Sequence, residues 1–234
     1  MGDRTDVLST GIDGLDEMLE GGVPRGHAVC VLGSFGTGKT TFALQFIVEG
    51  LLEGDKAIFV TLEEDVESIV ASAAKFGWDL QKHLDKKTLA VYKLEPSDMK
   101  ATVMKLKSDL PDFLKKFGAG RIAVDSISLL SAMFADEGER RSRLFSLASQ
   151  IKKGGATAVF TAETRDDNLK ASRDGLVEYV ADGVVSLRLQ ERANGEVQPL
   201  IQVVKMRRVK HQRRVRPYTI TEHGIVVLAN VDIM

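Results

Sequence analysis

The sequence contains very little cysteine and no long hydrophobic segment. Cys30 is the only cysteine in 234 residues, so a framework of disulfide bonds within the chain is excluded. Runs of about 18 consecutive apolar residues, which a membrane-spanning helix needs, are absent. The polar residues 1–6 lack the apolar core of a secretory signal peptide. Together these absences predict a cytoplasmic protein that does not bind a membrane.

Linkers, internal repeats and low-complexity tracts are also missing. Apolar residues make up 44% of the chain and charged residues 28%, as in an ordinary globular protein. A chain of 234 residues is long enough to bury a substantial core. We therefore expect residues 1–234 to form a single domain.

The chain carries almost no net charge, but its charge is unevenly distributed. The formal net charge is −1 at pH 7, whereas segment 205–216 holds seven basic residues and no acidic one. Positive charge is therefore concentrated in one segment near the C-terminus.

Residues 33–40 fit the pattern G-x-x-x-x-G-K-S/T of a phosphate-binding loop, or P-loop. The loop consists of Gly33, Ser34, Phe35, Gly36, Thr37, Gly38, Lys39 and Thr40. Its glycines let successive backbone N–H groups point into one concavity, which holds phosphates together with the N-terminus of the following helix. Thr41, in that helix, is therefore also a candidate nucleotide-binding residue.

Two residues of the loop have specific predicted roles. Lys39 is expected to reach the β- and γ-phosphates, and the Thr40 hydroxyl to bind Mg²⁺. The context supports this interpretation, because the apolar segment 27–32 predicts a buried strand before the loop and 41–48 predicts a helix after it. The alternative is a glycine-rich turn that binds no ligand.

Apolar strands alternate with helical patterns over most of the chain. Strands are predicted at 56–62, 88–94, 121–124 and 156–161, and helices from Asp65 to about 76, over about 98–117 and over about 136–153. The polar segment 167–172 predicts a loop. Strands at 183–190, 200–206, 218–220 and 225–228 follow, with an Asn-Gly turn at 194–195. This order predicts an α/β fold with three αβα layers, whose mainly parallel sheet is extended by a C-terminal antiparallel β-meander.

Acidic residues follow two of the predicted strands. Asp125 ends the fourth strand, where its carboxylate is expected to act on Mg²⁺ through water with help from Ser126; the alternative is a helix cap or turn residue. Glu63 and Glu64 end a strand that we expect to be the neighbour of the P-loop strand. There they can orient or deprotonate the water that attacks a γ-phosphate, and their mutual repulsion raises one pKa. The alternative is a solvated pair at the start of a helix.

Lys205 and Arg207 alternate along a predicted strand, so their charged groups lie on one face. We interpret them as cations that reach a γ-phosphate and stabilise charge in the transition state. The remaining basic residues of the segment fit either polyanion binding or a solvated edge strand. These residues are Arg208, Lys210, Arg213, Arg214 and Arg216.

Ordered matches along nearly the whole chain resemble the KaiC-like branch of the RecA-type ATPases, especially its single-domain archaeal members. The matching segments are 9–16, 21–26, the P-loop, 59–64, 76–79, 124–126, 205–207 with His211, and 217–220. The resemblance implies a RecA-like P-loop NTPase core that binds ATP or ADP with Mg²⁺ and hydrolyses ATP slowly. It also implies homo-oligomeric rings, often hexamers, with ATP between subunits.

The resemblance also assigns residue roles. Glu63 and Glu64 match the catalytic carboxylates, Lys205 and Arg207 match residues that reach the neighbouring subunit's γ-phosphate, and His211 belongs to the same motif. Four residues at three sites depart from the family pattern. Arg208 replaces a common glycine, Glu178-Tyr179 stands where clock-type members carry a phosphorylated Ser-Thr pair, and Glu163 replaces the polar amide of DNA recombinases.

Three functions remain open at this point. The first is an oligomeric ATPase whose hydrolysis drives a regulatory or conformational change, with an unidentified protein client as a further partner. The second is a recombinase paralogue that binds single-stranded DNA through the basic segment. The third is a nucleotide-sensing scaffold in which ATP holds subunits together without significant turnover.

Overall fold

A computed structural model describes residues 7–94, 109–165, 168–173 and 175–228. The strands are β1 Val7–Leu8, β2 Val23–Pro24, β3 Ala28–Gly33, β4 Lys56–Thr61, β5 Leu89–Lys93, β6 Ala119–Asp125, β7 Thr157–Arg165, β8 Asn168–Ser172, β9 Gly183–Glu191, β10 Val197–Met206, β11 Arg216–Thr221 and β12 Gly224–Val227. The helices are α1 Leu15–Met18, α2 Lys39–Leu52, α3 Val66–Ala74, α4 Leu80–Asp85, α5 over 109–117, α6 Ile127–Ala132, α7 Glu137–Lys153 and α8 Val177–Val180. The part of the predicted helix over 98–108 lies outside the described residues.

One large sheet organises the molecule, in the order β12-β11-β10-β9-β3-β7-β6-β4-β5, with β8 paired to β7. Strands β9, β3, β7, β6, β4 and β5 are parallel neighbours, whereas β10, β11 and β12 continue the sheet in antiparallel pairs. The prediction of a mainly parallel sheet extended by a C-terminal meander is therefore confirmed. No described helix is long and apolar enough to cross a membrane.

Helices cover both faces of this sheet. Successive side chains of β3 point to opposite sides, so Val29 and Val31 join a buried cluster with α2, α3 and α4. Ala28, Cys30 and Leu32 join a second buried cluster with α5, α6, α7 and α8. The near-continuous apolar character of β3 follows from this burial on both faces, as expected for a central parallel strand.

Two sequence predictions about the sheet are wrong. The strand that ends before Glu63, β4, is not the neighbour of the P-loop strand β3, because β7 and β6 lie between them. The order of parallel strands depends on where each crossover helix packs, which the order along the chain does not specify. The expected loop at 167–172 is largely strand β8, which pairs antiparallel with the end of β7.

A buried arginine joins the start of β6 to the end of α2. The Arg121 side chain is fully buried and donates hydrogen bonds to the carbonyl oxygens of Ser9, at 2.6 Å, and Phe46, at 3.1 Å. It also forms ion pairs with Glu53 and Asp55. The buried charge is thus paired and hydrogen-bonded, as burial of a guanidinium requires.

The absence of a side chain at Gly50 makes room for this arginine. A Cβ atom at Gly50, within α2, would lie 2.3 Å from Nε and 2.4 Å from Cδ of Arg121. We expect Gly50→Ala to lower the free energy of unfolding by ~1–3 kcal/mol, because the buried guanidinium would have to move. Urea denaturation followed by circular dichroism measures this change.

Gly138 in α7 provides the matched control. A Cβ there would meet only the Asp136 carboxylate oxygen, at 3.2 Å. Gly138→Ala should therefore stabilise the protein or leave it unchanged, since alanine favours a helix by ~1 kcal/mol over glycine. Equal effects of the two substitutions would contradict the role of Gly50.

Candidate functional site

The P-loop connects β3 to α2 at the carboxyl edge of the parallel strands. Gly36 and Gly38 adopt φ angles of 72° and 82°, in the left-handed region that favours glycine. The Ser34 carbonyl oxygen accepts hydrogen bonds from Thr37 Oγ1, at 2.8 Å, and Lys39 Nζ, at 2.9 Å. These bonds fold the loop back on itself around the backbone N–H groups of its tip.

A tyrosine from the antiparallel extension supports the loop. The hydroxyl of Tyr218, on β11, donates a hydrogen bond of 2.6 Å to the Thr37 carbonyl oxygen. Burial raises the pKa of Tyr218 to about 12, so the phenol stays protonated as a donor. Tyr218 was not predicted as a site residue, because it and Thr37 are 181 positions apart and only the folded sheet brings them together.

Thr40 and Asp125 lie in direct contact. Thr40 Oγ1 donates a hydrogen bond of 2.7 Å to one carboxylate oxygen of Asp125, and Thr161 Oγ1 donates to the other. Asp125 ends β6, Thr161 lies on the intervening strand β7, and Asp125 is only 5% exposed. Thr161 was not predicted as a site residue; its position beside Asp125 follows from strand order alone.

This pair suits the magnesium ion that the family resemblance implies. A hydroxyl and a carboxylate are hard oxygen ligands, and Mg²⁺ is commonly held by one or two such groups with water and substrate phosphates. Among the described residues, no group of three or more His, Cys, Asp or Glu side chains forms a metal site of its own. Thr40 and Asp125 are therefore the residues that fit the ion.

Glu63 and Glu64 follow β4 at the same edge of the sheet. Thr61 Oγ1 accepts hydrogen bonds from both of their backbone N–H groups, at 3.3 and 3.0 Å. Glu63 is exposed and accepts a hydrogen bond of 2.9 Å from Ser126 Oγ. Ser126 follows Asp125 in the sequence, and its side chain bonds to Glu63 rather than to Asp125. Ser126 thus links the two acidic residues.

Electrostatic effects among these residues agree with their proximity. Burial raises the pKa of Glu64, and the charges of Asp125 and Glu63 raise it further. Burial lowers the pKa of Lys39, against the opposing influence of Asp125, Glu163 and Glu63. The P-loop lysine therefore lies within the field of three carboxylates from the ends of β6, β7 and β4.

The predicted cations Lys205 and Arg207 lie at the opposite edge of the sheet. Lys205 pairs with Val184, which pairs with Cys30, and the Arg207 N–H donates to the Asp182 carbonyl oxygen. Val184, on β9, and Asp182, just before it, lie beside the first half of β3, whereas the P-loop follows the end of β3. Lys205 is level with Cys30, about 10 Å along the strand from Gly33, and Arg207 is level with the start of β3. Both cations are therefore set back from the P-loop of their own chain along the strand direction.

Lys205, Arg207 and His211 differ in their local contacts. Lys205 Nζ donates to the Glu178 carbonyl oxygen at 2.5 Å, and burial, followed by the charge of Arg207, lowers its pKa. Arg207 lies 3.5 Å from an Asp182 carboxylate oxygen, with 54% of its side chain exposed. Among the described residues, His211 Nε2 has no hydrogen-bond partner.

The backbone at Arg208 adopts a turn conformation that usually favours glycine. Arg208 adopts a φ of 64°, a left-handed conformation that costs a residue with a side chain about 1 kcal/mol. The side chains of Arg208, Lys210, Arg213 and Arg214 are exposed. The departure from the family pattern at this position therefore retains the turn and adds a cation at its surface.

The family model for the KaiC ATPase matches residues 8–232. The chain belongs to the KaiC ATPase family. It is 34% identical to the circadian clock protein KaiC3 of Synechocystis, over 97% of this chain and 46% of that protein. It is 36% identical to KaiC2 of the same organism, over 94% of this chain and 39% of the relative.

The chain thus spans less than half the length of these curated relatives. A solved structure of similar size also matches. The KaiC-like protein of the archaeon Pyrococcus horikoshii is 35% identical and superposes with a TM-score of 0.83, over 94% of this chain and 98% of the other. The chain therefore has the RecA-like α/β fold that the resemblance implied.

The clustered carboxylates generate a prediction about Glu64. We expect its pKa in the ligand-free protein to lie above the ordinary glutamate value, because burial and the charges of Asp125 and Glu63 oppose ionisation. The folded protein then keeps this proton to higher pH than the unfolded chain does. The contribution of Glu64 to the free energy of unfolding consequently decreases as pH rises through its folded-state pKa.

Carbon-detected NMR titration of the glutamate carboxyl groups measures this pKa. Glu63→Gln should lower it by removing one like charge, whereas Glu196→Gln, in the exposed β9–β10 hairpin, should not. A Glu64 pKa at or below the ordinary value would contradict the proposed electrostatic environment.

Proposed function

We propose that the protein is a Mg²⁺-dependent ATPase that hydrolyses ATP slowly at interfaces between its own subunits and thereby drives a regulatory or conformational change. The observation that carries this proposal is the chain of contacts along one sheet edge. It runs from Thr40 of the P-loop to Asp125, and from Ser126 to Glu63. Phosphate-binding, metal-binding and proton-accepting groups are therefore held together by directly bonded or sequence-adjacent residues.

The P-loop residues would bind and orient the triphosphate. Backbone N–H groups between Gly33 and Thr40, together with Thr41 at the start of α2, surround the phosphates. Lys39 Nζ leaves the Ser34 carbonyl oxygen for the β- and γ-phosphates, where its positive charge compensates the phosphate charge. Mg²⁺, when bound by Thr40 and Asp125, supplies further neutralisation of the developing negative charge.

Glu63 would act on the attacking water. The water oxygen forms a bond to the γ-phosphorus, the bond from that phosphorus to the β,γ-bridging oxygen breaks, and ADP leaves with the electron pair. The water proton passes to the Glu63 carboxylate, which Ser126 orients through its hydrogen bond. Glu64, with its raised pKa, assists beside it.

A neighbouring subunit would complete the site. Lys205 and Arg207 lie at the sheet edge opposite the P-loop, so their predicted contact with a γ-phosphate requires a second copy. A head-to-tail arrangement brings the cationic edge of one copy to the P-loop edge of the next, and such heterologous contacts form a ring when the rotation between successive copies closes. His211, on the same segment, would approach the nucleotide from the same side.

Loss of the proposed base should abolish turnover without abolishing binding. We expect Glu63→Gln to lower the rate of phosphate release at least ~100-fold, since general-base catalysis contributes that much or more. Fluorescent-nucleotide titration should give an ATP affinity close to that of the wild type. Glu67→Gln, which changes another exposed glutamate in the first turn of α3, should remain active.

Two results would contradict this assignment. Equal turnover in Glu63→Gln would place the base elsewhere. A wild-type protein that binds Mg²⁺-ATP but releases no phosphate would favour the nucleotide-sensing scaffold over an ATPase.

Subunit mixing tests whether the cations act between subunits. Lys39→Ala and Arg207→Ala should each be inactive alone, because one lacks the P-loop lysine and the other lacks the neighbour's arginine. Random mixing in equal amounts should restore up to about a quarter of wild-type turnover, the share of interfaces in which both residues are intact. Arg213→Ala, a nearby exposed cation, serves as the control and should stay active.

Light scattering on the same mixture shows whether the two variants have assembled. An assembled mixture with no recovered turnover would contradict completion of the site by a neighbour. Full activity of Arg207→Ala alone would contradict its catalytic role.

A further inference from the structure

The tip of the P-loop displays an aromatic ring to solvent. Phe35 is 91% exposed, the largest exposure among the large hydrophobic side chains of the described residues. In the ligand-free loop the adjacent Ser34 carbonyl oxygen accepts hydrogen bonds from both Thr37 and Lys39, which hold the backbone beside Phe35. Next to it, a Cβ atom at Gly36 would meet nothing within 4 Å. An exposed phenyl group on a surface loop is a typical anchor for another protein surface.

A second exposed aromatic ring lies beside the proposed trans cations. Tyr179, on α8, is 68% exposed. The preceding residue, Glu178, is held through its carbonyl oxygen by Lys205 and through its carboxylate by the hydroxyl and N–H groups of Ser172. Val177 is buried beneath the helix. Tyr179 is therefore displayed from a fixed backbone, one residue from the carbonyl that binds Lys205.

We propose that Phe35 of one subunit packs against Tyr179 of the next subunit of this same chain. This inference rests on the proposed function, in which Lys205 of one copy approaches the nucleotide held by Lys39 of another. Phe35 lies four residues before Lys39 on the loop, and Tyr179 lies next to the anchor of Lys205. Bringing the two lysines to one nucleotide therefore brings the two aromatic rings towards each other.

The contact has a direction and a chemical character. The rings come from different edges of the subunit, so each copy donates Phe35 to one neighbour and Tyr179 to the other. A phenyl and a phenol ring prefer offset-stacked or edge-to-face packing, with centroids 4.5–7 Å apart. The pair would fix the position of the neighbouring cations relative to the P-loop.

Thiol cross-linking tests the contact directly. Cys30 is the only native cysteine and is fully buried, so cysteines introduced at the two surface positions would be the reactive thiols. We expect the double variant Phe35→Cys/Tyr179→Cys, treated with a short bis-maleimide in the presence of Mg²⁺-ATP, to form a ladder of covalent oligomers on a denaturing gel, because the cross-linker spans the space that the two rings fill. Each single variant should form no species larger than a dimer.

The matched control moves one thiol to another exposed apolar position. Leu52, at the end of α2, is 74% exposed, and Leu52→Cys/Tyr179→Cys should form no ladder. A ladder of equal yield in this control, or no ladder in the test variant, would overturn the proposal. Because the readout is covalent assembly, a ladder in the double variant together with a wild-type protein that releases no phosphate would support the contact while contradicting the ATPase mechanism.

A second measurement uses Tyr179 without introduced thiols. Tyr179→Ala should raise the dissociation constant of the assembly at least about tenfold, whereas Tyr179→Phe, which keeps the ring, should leave it within about twofold. Sedimentation velocity over a concentration series gives both values. Equal assembly by all three proteins, or loss of assembly in Tyr179→Phe alone, would overturn the aromatic contact. ATP turnover with wild-type assembly in Tyr179→Ala would show that the site forms without it.

Discussion

The hydrogen bond from Thr40 to Asp125 is the contact on which the geometry of the candidate site depends. It joins the start of α2 to the end of β6, although β7 lies between β6 and the P-loop strand. The intervening strand takes part through Thr161, whose hydroxyl donates a hydrogen bond to the other oxygen of the Asp125 carboxylate. A nearly buried aspartate with both oxygens satisfied holds a fixed position. Ser126, the residue after Asp125, in turn donates a hydrogen bond to the carboxylate of Glu63.

The directions of the strands set a second constraint, the separation of Lys205 and Arg207 from the P-loop of the same chain. Parallel strands bring their carboxyl ends to one edge, and β10 returns antiparallel, so the residues at its end reach the other edge. Lys205 is therefore set back from the P-loop of its own chain by about half of β3, and Arg207 by about its full length. A site that uses both sets of residues needs two copies, with unlike surfaces in contact. Under the proposed function, the assembly would therefore be head-to-tail rather than a symmetric pair of like surfaces.

The sequence predicted most of the sheet but not its internal order. Glycine and lysine spacing defined the P-loop, and apolar runs defined the strands, because both are local signals. The placement of Glu63 beside the P-loop strand was wrong, since strand order depends on long-range crossovers. Strand β8 was missed because its polar residues resemble a loop. The hydrogen bond from Tyr218 to Thr37 could not be predicted either, because a contact between residues 181 positions apart leaves no local pattern in the sequence.

In the head-to-tail arrangement, the eight P-loop residues 33–40 would take part in both nucleotide binding and subunit assembly. The backbone that surrounds the phosphates also displays Phe35, and the helix that displays Tyr179 also anchors Lys205. Coupling between two binding events is reciprocal, so a nucleotide state that strengthens assembly must bind more tightly to the assembled form. An isolated subunit would hold ATP without the neighbour's cations, and hydrolysis would be confined to the assembled state. Turnover in this arrangement would then be limited by the fraction of sites completed by a neighbour as well as by the chemistry proposed for Glu63.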